Sequence, residues 1–215
     1  MNRKLHYPKI RDSRDFPLGR CIAFEKLDGT NLHFVWKRTS GWIALGTRRD
    51  RFTWDHAGRE AFAAAHGNVA DAAELFEQQW TAELEVVFQK DERCQSWQVV
   101  EVFAEYCGPN SFAGLHKHDD PKRLVMFDVA VDGEMLGPFE FIELFRELPI
   151  ARVVFQGKFN SSFAERVREG KLDVIEGVVC KTGTRGNVQM AKIKSNAYRD
   201  RLQQSFGERW EDHWE

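Results

Sequence analysis

The sequence has no long apolar run, no cysteine motif and no excess of charge of one sign. None of its hydrophobic segments approaches the roughly 20 residues that a membrane helix needs, and its N-terminus leads into charge and proline, unlike a signal peptide. We therefore expect a cytoplasmic protein without membrane contact. Its 31 basic and 33 acidic side chains give a net charge of −2, which argues against non-specific coating of nucleic acid.

Four cysteines are far apart in the chain and form no CxxC pair. Their spacing indicates neither a zinc knuckle nor a disulfide framework, so we expect reduced, mostly buried thiols. The sequence also lacks repeats of solenoid length, low-complexity tracts and a Pro/Gly/Ser-rich linker between large domains. With 215 residues, 42% of them hydrophobic, the chain can bury one substantial core, and we expect a single domain over residues 1–215.

The hydrophobic pattern alternates between β-rich and helical segments. It predicts strands over 21–25, 31–36, 42–46, 98–106, 123–131, 174–181 and 187–194. We expect the first three to form an antiparallel meander, and 123–131 to be a central strand because it is nearly continuously apolar. The predicted helices are a hairpin within about 56–88 broken near Gly67, a short helix from Pro138 to near Pro149, one capped by Ser161 or Ser162, and one starting near Ser195.

Several predicted strands carry ionisable residues where a sheet normally buries apolar ones. Glu105, Glu176, Lys192 and Lys194 are the main cases. A charge on a core-facing strand is costly unless it is paired or lines a cleft. Because side chains alternate along a strand, Lys192 and Lys194 share one face, and two ammonium groups together favour a polyanion such as triphosphate. A solvated edge face is the alternative explanation.

The segment Glu25-Lys-Leu-Asp-Gly-Thr-Asn31 places a lysine at a strand end before an Asp-Gly turn. Glycine allows close approach of the backbone to a ligand. A lysine that is partly desolvated and near other cations has a lowered pKa, which makes its neutral amine available as a nucleophile. We expect this of Lys26. By itself the same string is also typical of a hairpin turn with an exposed lysine.

Six motifs in a fixed order resemble the covalent nucleotidyltransferase superfamily, which comprises polynucleotide ligases and messenger-RNA capping enzymes. They are Lys26-Leu-Asp-Gly-Thr-Asn31, Thr47-Arg48, Phe103-Ala-Glu-Tyr-Cys-Gly108, Phe127-Asp-Val129, Glu176-Gly-Val-Val-Cys-Lys181 and Lys192-Ile-Lys194. The Glu25-Lys26 start and the Thr30-Asn31 end are most similar to the RNA ligase 2 and RNA-editing ligase branch. Asp28 departs from that branch, whose members often have histidine there, and agrees with the wider superfamily.

The resemblance implies an α+β nucleotidyltransferase (ATP-grasp-like) domain of two mostly antiparallel sheets flanked by helices, with an ATP cleft between them. It implies ATP-dependent RNA ligation through a lysyl-AMP intermediate, joining 3′-OH and 5′-phosphate ends. Only about twenty residues follow Lys194. We therefore expect no separate C-terminal oligonucleotide-binding or helical domain, and a partner protein in its place.

The resemblance also implies a role for each matching residue. Lys26, Lys192, Lys194 and Glu176 are the catalytic candidates, with the lysine pair on the α-phosphate. Asp28 and Glu176 would hold Mg²⁺ or Mn²⁺, through water because Mg²⁺ dehydrates reluctantly. Nucleotide contacts would come from Arg48 and Glu105 to the ribose, Asn31 to a phosphate or ribose, Phe127 and Val179 to the two adenine faces, and backbone atoms near Glu25 to the adenine edge. Without the neighbouring motifs, Phe127 would be a core residue, Asp28 a turn residue and Glu176 a strand-end residue.

RNA is the expected partner, as a nicked duplex or an RNA/DNA hybrid. Six basic residues lie between Lys181 and Arg201, and a second basic cluster, Arg48, Arg49 and Arg51, accompanies Trp36, Trp42 and Trp54. Such clusters can follow phosphates and stack on bases, although solvated surface and core tryptophan explain them equally well. The rival functions are a DNA ligase, a capping-type guanylyltransferase, and a degenerate nucleotide- or RNA-end-binding module.

Overall fold

The computed structural model describes residues 7–109 and 119–214, and its strands form two sheets. The strands are β1 (Arg11–Asp12), β2 (Arg20–Lys26), β3 (Thr30–Lys37), β4 (Gly41–Thr47), β5 (Phe52–Thr53), β6 (Val99–Cys107), β7 (Arg123–Val131), β8 (Glu134–Met135), β9 (Val153–Lys158), β10 (Gly177–Thr184) and β11 (Asn187–Lys194). The first sheet has the order β1-β11-β10-β2-β9 and the second β5-β4-β3-β6-β7-β8. All ladders between these strands are antiparallel except β1 with β11.

Helices pack against both sheets. They are α1 (His56–Ala65), α2 (Ala72–Gln79), α3 (Thr81–Lys90), α4 (Pro138–Phe145), α5 (Ser161–Arg168) and α6 (Asn196–Phe206). Phe34 of β3 stacks on Phe76 of α2 at 3.8 Å between ring centroids, in the larger core beneath α1 to α3. Phe163 of α5 packs on the first sheet, with Cys180 of β10 in the same smaller core. The α+β fold class with two mostly antiparallel sheets is confirmed.

The predicted meander of the first three strands is wrong. β3 and β4 pair as expected, but β2 lies in the other sheet, between β10 and β9. The Asp-Gly turn after Lys26 therefore carries the chain from one sheet to the other instead of closing a hairpin. As a result Lys26, at the end of β2, and Asn31, near the start of β3, approach the space between the sheets from opposite sides.

Three smaller expectations also change. The helical hairpin is three helices, with a 3-10 turn at Gly67–Val69 between α1 and α2. Helix α5 is capped by Asn160, whose side chain accepts from Phe163 N, rather than by a serine. β7 is fifth of six strands and gains its burial from packing on both faces, not from a central place.

Two absences in the sequence have structural counterparts. All four cysteines are free and buried, which agrees with the expected burial of the thiols. Within the described residues, no α-helix combines the length and apolar character that a membrane span requires.

Candidate active site

The strand register of the first sheet brings the two ends of the motif series together. Gly177 of β10 is paired with Lys26 on one side and with Lys194 on the other. Gly177 has φ of 151°, and a Cβ at this position would lie 2.0 Å from the carbonyl oxygen of Ile193. Only glycine permits this close approach of β10 to β11, so it keeps the two lysines in the same row across three strands.

Glu176 lies beside this row and binds both lysines. Its Oε2 accepts from Lys26 Nζ at 2.8 Å, and its Oε1 is 3.0 Å from Lys194 Nζ. The Glu176 and Lys194 side chains are 3% and 4% exposed, whereas Lys26 is 23% exposed. Glu176 thus links a solvent-accessible amine to a buried one.

The charge state of Lys26 differs from expectation. Burial by itself lowers the pKa of the Lys26 amine, but Glu176, Glu105 and Asp28 outweigh burial and raise the pKa above its ordinary value. The predicted lowered pKa of Lys26 is therefore wrong for the chain alone. In this state Lys26 is an ammonium group, and it must lose a proton before it can act as a nucleophile.

Carboxyl groups outnumber ammonium groups around Lys26. Burial, with the nearby Glu176 charge, raises the pKa of Asp28 to about 7, and burial, with Glu176 and Asp28, raises the pKa of Glu105 to about 8 even though Lys26 opposes it. Asp28, Glu105 and Glu176 face Lys26 and Lys194, which leaves one carboxylate charge in excess when all are ionised. A divalent cation fits this donor set, since hard cations prefer carboxylate oxygens.

The carboxyl groups do not form a closed metal cage. In the described residues, no three Asp, Glu, His or Cys side chains are close enough to enclose a metal ion. That Asp28 and Glu176 hold Mg²⁺ or Mn²⁺ through water stays a prediction, and Mg²⁺ keeps several of its waters when one or two carboxylates bind it.

A cavity of about 170 Å³ opens between the sheets next to Lys26. It is lined by eight residues that the sequence had singled out, Glu25, Lys26, Asn31, Arg48, Glu105, Phe127, Val179 and Lys192, together with Tyr7, Pro8, Lys9, Ile10, Phe24, Leu27 and Lys181. Oδ1 of Asn31 is buried and accepts no hydrogen bond from the described residues. Of the predicted site residues, Asp28, Glu176 and Lys194 lie behind the wall at Lys26 rather than on it.

The segment Tyr7–Ile10 lines the cavity although the sequence analysis did not predict it. The Tyr7 hydroxyl donates to Asp128 at 2.5 Å, and its ring packs edge-on against Phe127 at 5.0 Å. Lys181 Nζ, almost fully buried, is 2.7 Å from Asp128 and donates to the Phe127 carbonyl at 2.6 Å. These contacts fix Phe127 at the cavity wall. An isolated tyrosine in a polar N-terminal stretch carries no signal that could have predicted this.

The turn after β4 places Arg48 at the cavity, and side-chain hydrogen bonds hold this turn on both sides. Asp50 accepts from Thr47 Oγ1 at 2.7 Å and lies 2.7 Å from His66 Nε2. Arg51 donates to Glu101 at 2.5 Å and to His33 at 3.0 Å. The neighbours of Arg48 are thus held by the second sheet and by α1.

The Glu25 side chain has a partner outside the cavity. Its carboxylate is 3.0 Å from Arg152 Nε, and its backbone N–H donates to the Arg152 carbonyl at 2.8 Å. Because side chains alternate along β2, Glu25 and Lys26 point to opposite faces of the sheet. Contact of backbone atoms near Glu25 with the adenine edge stays a prediction.

Several members of the two basic clusters are buried or bound in ion pairs, whereas Arg48 and Arg49 are exposed. Lys181 and Lys194 are buried in ion pairs, and the Arg51 guanidinium is occupied by Glu101. Trp36 is a core residue, and Trp54 stacks beneath the Arg59 guanidinium at 4.1 Å. Ion pairs and the core take up several members of these clusters, and contact of the other members with RNA phosphates stays a prediction.

Comparisons with known proteins agree with this architecture. The model of the RNA ligase family matches residues 19–194. An archaeal ATP-dependent RNA ligase has a TM-score of 0.60 at 16% identity, over 97% of this chain and 55% of its own. A mutant Naegleria gruberi RNA ligase with AMP and Mn has a TM-score of 0.60 at 14% identity, over 90% and 56%. A putative ATP-dependent DNA ligase from Aquifex aeolicus has a TM-score of 0.58 at 17% identity, over 97% and 56%.

The structural similarities show the fold, and the chain spans little more than half the length of those solved proteins. No curated protein matches the sequence. The family match extends from the start of β2 to Lys194 and includes every motif of the predicted series. The chain therefore belongs to the RNA ligase family.

Proposed function

We propose that the chain transfers AMP from ATP to Lys26 and uses it to join a 3′-OH and a 5′-phosphate end of RNA. One observation carries the proposal: Lys26 Nζ lies at the wall of the cavity between the sheets, bonded to Glu176, with Lys194 held by the same carboxylate. An amine, a carboxylate and a second cation therefore meet at the edge of this cavity.

In the first step, the Lys26 amine attacks the α-phosphorus of ATP. A P–N bond forms, the bond from the α-phosphorus to the bridging oxygen of the β-phosphate breaks, and pyrophosphate leaves with that electron pair. Glu176 Oε2, at 2.8 Å, is placed to accept the proton that Lys26 loses. Lys192, which lines the cavity, and Lys194 supply positive charge where negative charge develops on the phosphates.

The cavity wall supports adenosine binding. Phe127 offers a half-buried ring braced by Tyr7, and Val179 lies on the opposite sheet. Glu105 and Arg48 provide an acceptor and a donor for ribose hydroxyls, and Asn31 Oδ1 provides a further acceptor. Backbone atoms near Glu25 are available to the adenine edge.

Asp28 and Glu176 would hold a divalent cation through water. When bound, Mg²⁺ or Mn²⁺ neutralises phosphate charge and orients the triphosphate. The residues themselves contribute a second effect. Ionised Asp28 and Glu176 raise the pKa of Lys26. A cation bound to these carboxylates would offset their charge and lower the pKa of Lys26, which favours the neutral amine that the reaction needs.

RNA is the favoured substrate because the family match is to RNA ligases. Joining of DNA is the second candidate, because the putative Aquifex aeolicus DNA ligase resembles the chain in fold as well as the RNA ligases do. The test therefore includes both polynucleotides, and GTP beside ATP to detect guanylyl transfer.

The decisive experiment incubates the purified chain with α-labelled ATP or GTP and Mg²⁺ or Mn²⁺. We expect acid-labile AMP on a peptide that contains Lys26, no label in Lys26→Ala, and full labelling in Lys90→Ala, whose lysine lies on the distant helix α3. The labelled protein should then transfer AMP to 5′-phosphorylated RNA and seal it.

Full labelling of Lys26→Ala would refute the assignment of the nucleophile. Failure of the wild-type chain to form any nucleotide adduct would favour a degenerate binding module. Label from GTP would favour capping chemistry, and sealing of an all-DNA nick in preference to RNA would favour a DNA ligase.

A further inference from the structure

The helix that follows β11 is hydrogen-bonded directly to the segment that bears Glu176, next to the row of Lys26 and Lys194. Ser195 N donates to the Glu176 carbonyl at 2.9 Å, and Ser195 Oγ caps α6 by accepting from Tyr198 N at 3.1 Å. Capping places the first turn of α6 against the segment that bears Glu176. The Tyr198 ring is consequently buried beside the Lys194 side chain.

Two aromatic rings flank the Lys194 ammonium. Its Nζ is 5.2 Å from the centroid of the Tyr198 ring and 5.3 Å from that of Trp214. Both distances are within the roughly 6 Å range of cation–π attraction. Glu176 Oε1, at 3.0 Å, adds a carboxylate contact to these two aromatic faces.

Trp214 reaches Lys194 because the chain reverses after α6. Gly207 has φ of 54°, a left-handed conformation that favours glycine at a helix C-terminus. The following 3-10 segment, Gly207–His213, returns along α6. There Trp210 and Trp214 pack with Tyr198, Leu202 and Phe206 in a small aromatic cluster.

Tyr198 also contacts the second acid of the site. Its hydroxyl donates to Asp28 Oδ1 at 3.2 Å. One side chain thus touches the cation through its ring and the carboxylate through its hydroxyl.

We propose that Tyr198 and Trp214 are positioning residues for AMP transfer, holding the Lys194 ammonium and the Asp28 carboxylate in their reactive places. The inference rests on the proposed adenylylation of Lys26. An aromatic face stabilises a buried cation without cancelling its charge, whereas a second carboxylate would neutralise it. The aromatic cage formed by Tyr198 and Trp214 therefore leaves Lys194 able to act on phosphate. The Tyr198 hydroxyl orients Asp28 toward a hydrated divalent cation.

The kinetic test measures single-turnover adenylylation across ATP concentrations. Trp214→Leu should slow the maximal rate about tenfold with little change in the ATP concentration for half-maximal rate. Trp214→Phe, which keeps an aromatic face, should recover most of that loss. A faster rate in Trp214→Leu would overturn the proposal, because it would make the segment an inhibitory cover.

The metal test uses the spectroscopic signal of free Mn²⁺ and needs no turnover. Tyr198→Phe keeps the ring but loses the hydroxyl, and should bind Mn²⁺ about tenfold more weakly than wild type. Tyr106→Phe is the matched control, because the Tyr106 hydroxyl donates to Asp71 at 2.7 Å, away from the cavity. Equal Mn²⁺ binding by wild type and Tyr198→Phe would refute the role of the hydroxyl.

A double-mutant cycle separates the cage from the proposed function. Thermal unfolding is measured for Lys194→Met, Trp214→Leu and the double variant. If the ring and the cation interact, the loss in the double variant is smaller than the sum of the single losses; additive losses would refute the cage. If wild type is labelled and Trp214→Leu is labelled at the same rate, this inference is refuted and the proposed function stands. If wild type is not labelled, the proposed function is refuted, and the double-mutant cycle still tests whether the rings interact with Lys194.

Discussion

Lys192 and Lys194 share one face of β11 but have different surroundings. Lys192 is half-buried and lines the cavity. Lys194 is buried, bound to Glu176, and its pKa is lowered by burial although Glu176 opposes that shift. The pair that the sequence presents as equivalent cations is therefore a cavity-lining cation and a buried one.

Replacing either lysine with alanine should separate these two settings. We expect both Lys192→Ala and Lys194→Ala to slow adenylylation of Lys26 by about a hundredfold, the usual cost of one transition-state donor. Only Lys194→Ala should also lower the melting temperature, because it removes one of the two cations that compensate the buried Glu176. Unchanged rates with normal melting curves would refute a role of either lysine in adenylylation.

Lys181 supports the adenine wall from within the core. The Lys181 and Asp128 side chains are 2% and 3% exposed, with 2.7 Å between their charged atoms. Lys181→Met leaves the carboxylate with Tyr7 as its hydrogen-bond donor, so we expect the free energy of unfolding to fall by about 3 kcal/mol in urea titration. The same substitution at exposed Lys158 should change it little, and similar losses at both positions would contradict a buried ion pair.

Seven strand positions could be predicted from the sequence, but β1, β5, β8 and β9 were missed and strand partners could not be predicted. The alternation in β2, β3 and β4 locates each strand, and an Asp-Gly turn between β2 and β3 is also what a hairpin contains. The actual partners of β2 are β10 and β9, more than a hundred residues away in sequence. Only the packing of both sheets decides between these pairings.

The same limit applies to the site. Lys26, Glu105, Glu176 and Lys194 are detectable because charges on apolar strands require an explanation. Tyr198 lies in an ordinary helical pattern, and its contact with Asp28 depends on how α6 leaves β11. The charge of Lys26 was also mispredicted, because the number of carboxyl groups around it follows from tertiary proximity.

The N-terminal cap of α5 can be tested by mutation, because the structure shows Asn160 where the sequence predicted a serine. Asn160 Oδ1 accepts from Phe163 N at 2.8 Å, whereas Ser161 and Ser162 lie inside the helix. Asn160→Ala should reduce the free energy of unfolding by about 1 kcal/mol, and Ser161→Ala should have little effect. Chemical denaturation of the two variants measures the difference, and a larger loss in Ser161→Ala would restore the serine cap.

Around Lys26, the cleft between the sheets contains more acidic side chains than the basic side chains there can balance. Asp28 and Glu105 have raised pKa values, of about 7 and about 8, chiefly because they are buried. In the unfolded chain such groups titrate near pH 4. Between these limits the folded protein holds protons that the unfolded chain has released, so folding stability must fall as pH rises.

This linkage predicts how pH and divalent ions act together on the whole protein. From pH 5 to pH 8 the wild-type free energy of unfolding should fall by on the order of 1–3 kcal/mol through Glu105, and Glu105→Gln should remove that part and melt higher than wild type at pH 8. Glu101, whose pKa burial raises to about 7 despite Arg51, contributes to the fall in both proteins, so the comparison isolates Glu105.

Mn²⁺ should raise the wild-type melting temperature more at pH 8 than at pH 5.5, because protons compete for the same carboxylates and the ion binds the folded state. Melting curves with Mn²⁺, and with Na⁺ at equal ionic strength, test both effects, with Glu74→Gln, at an exposed position of α2, as the control. A wild-type curve that rises from pH 5 to pH 8, or an Mn²⁺ effect independent of pH, would show that the cleft does not hold its acids in the protonated form.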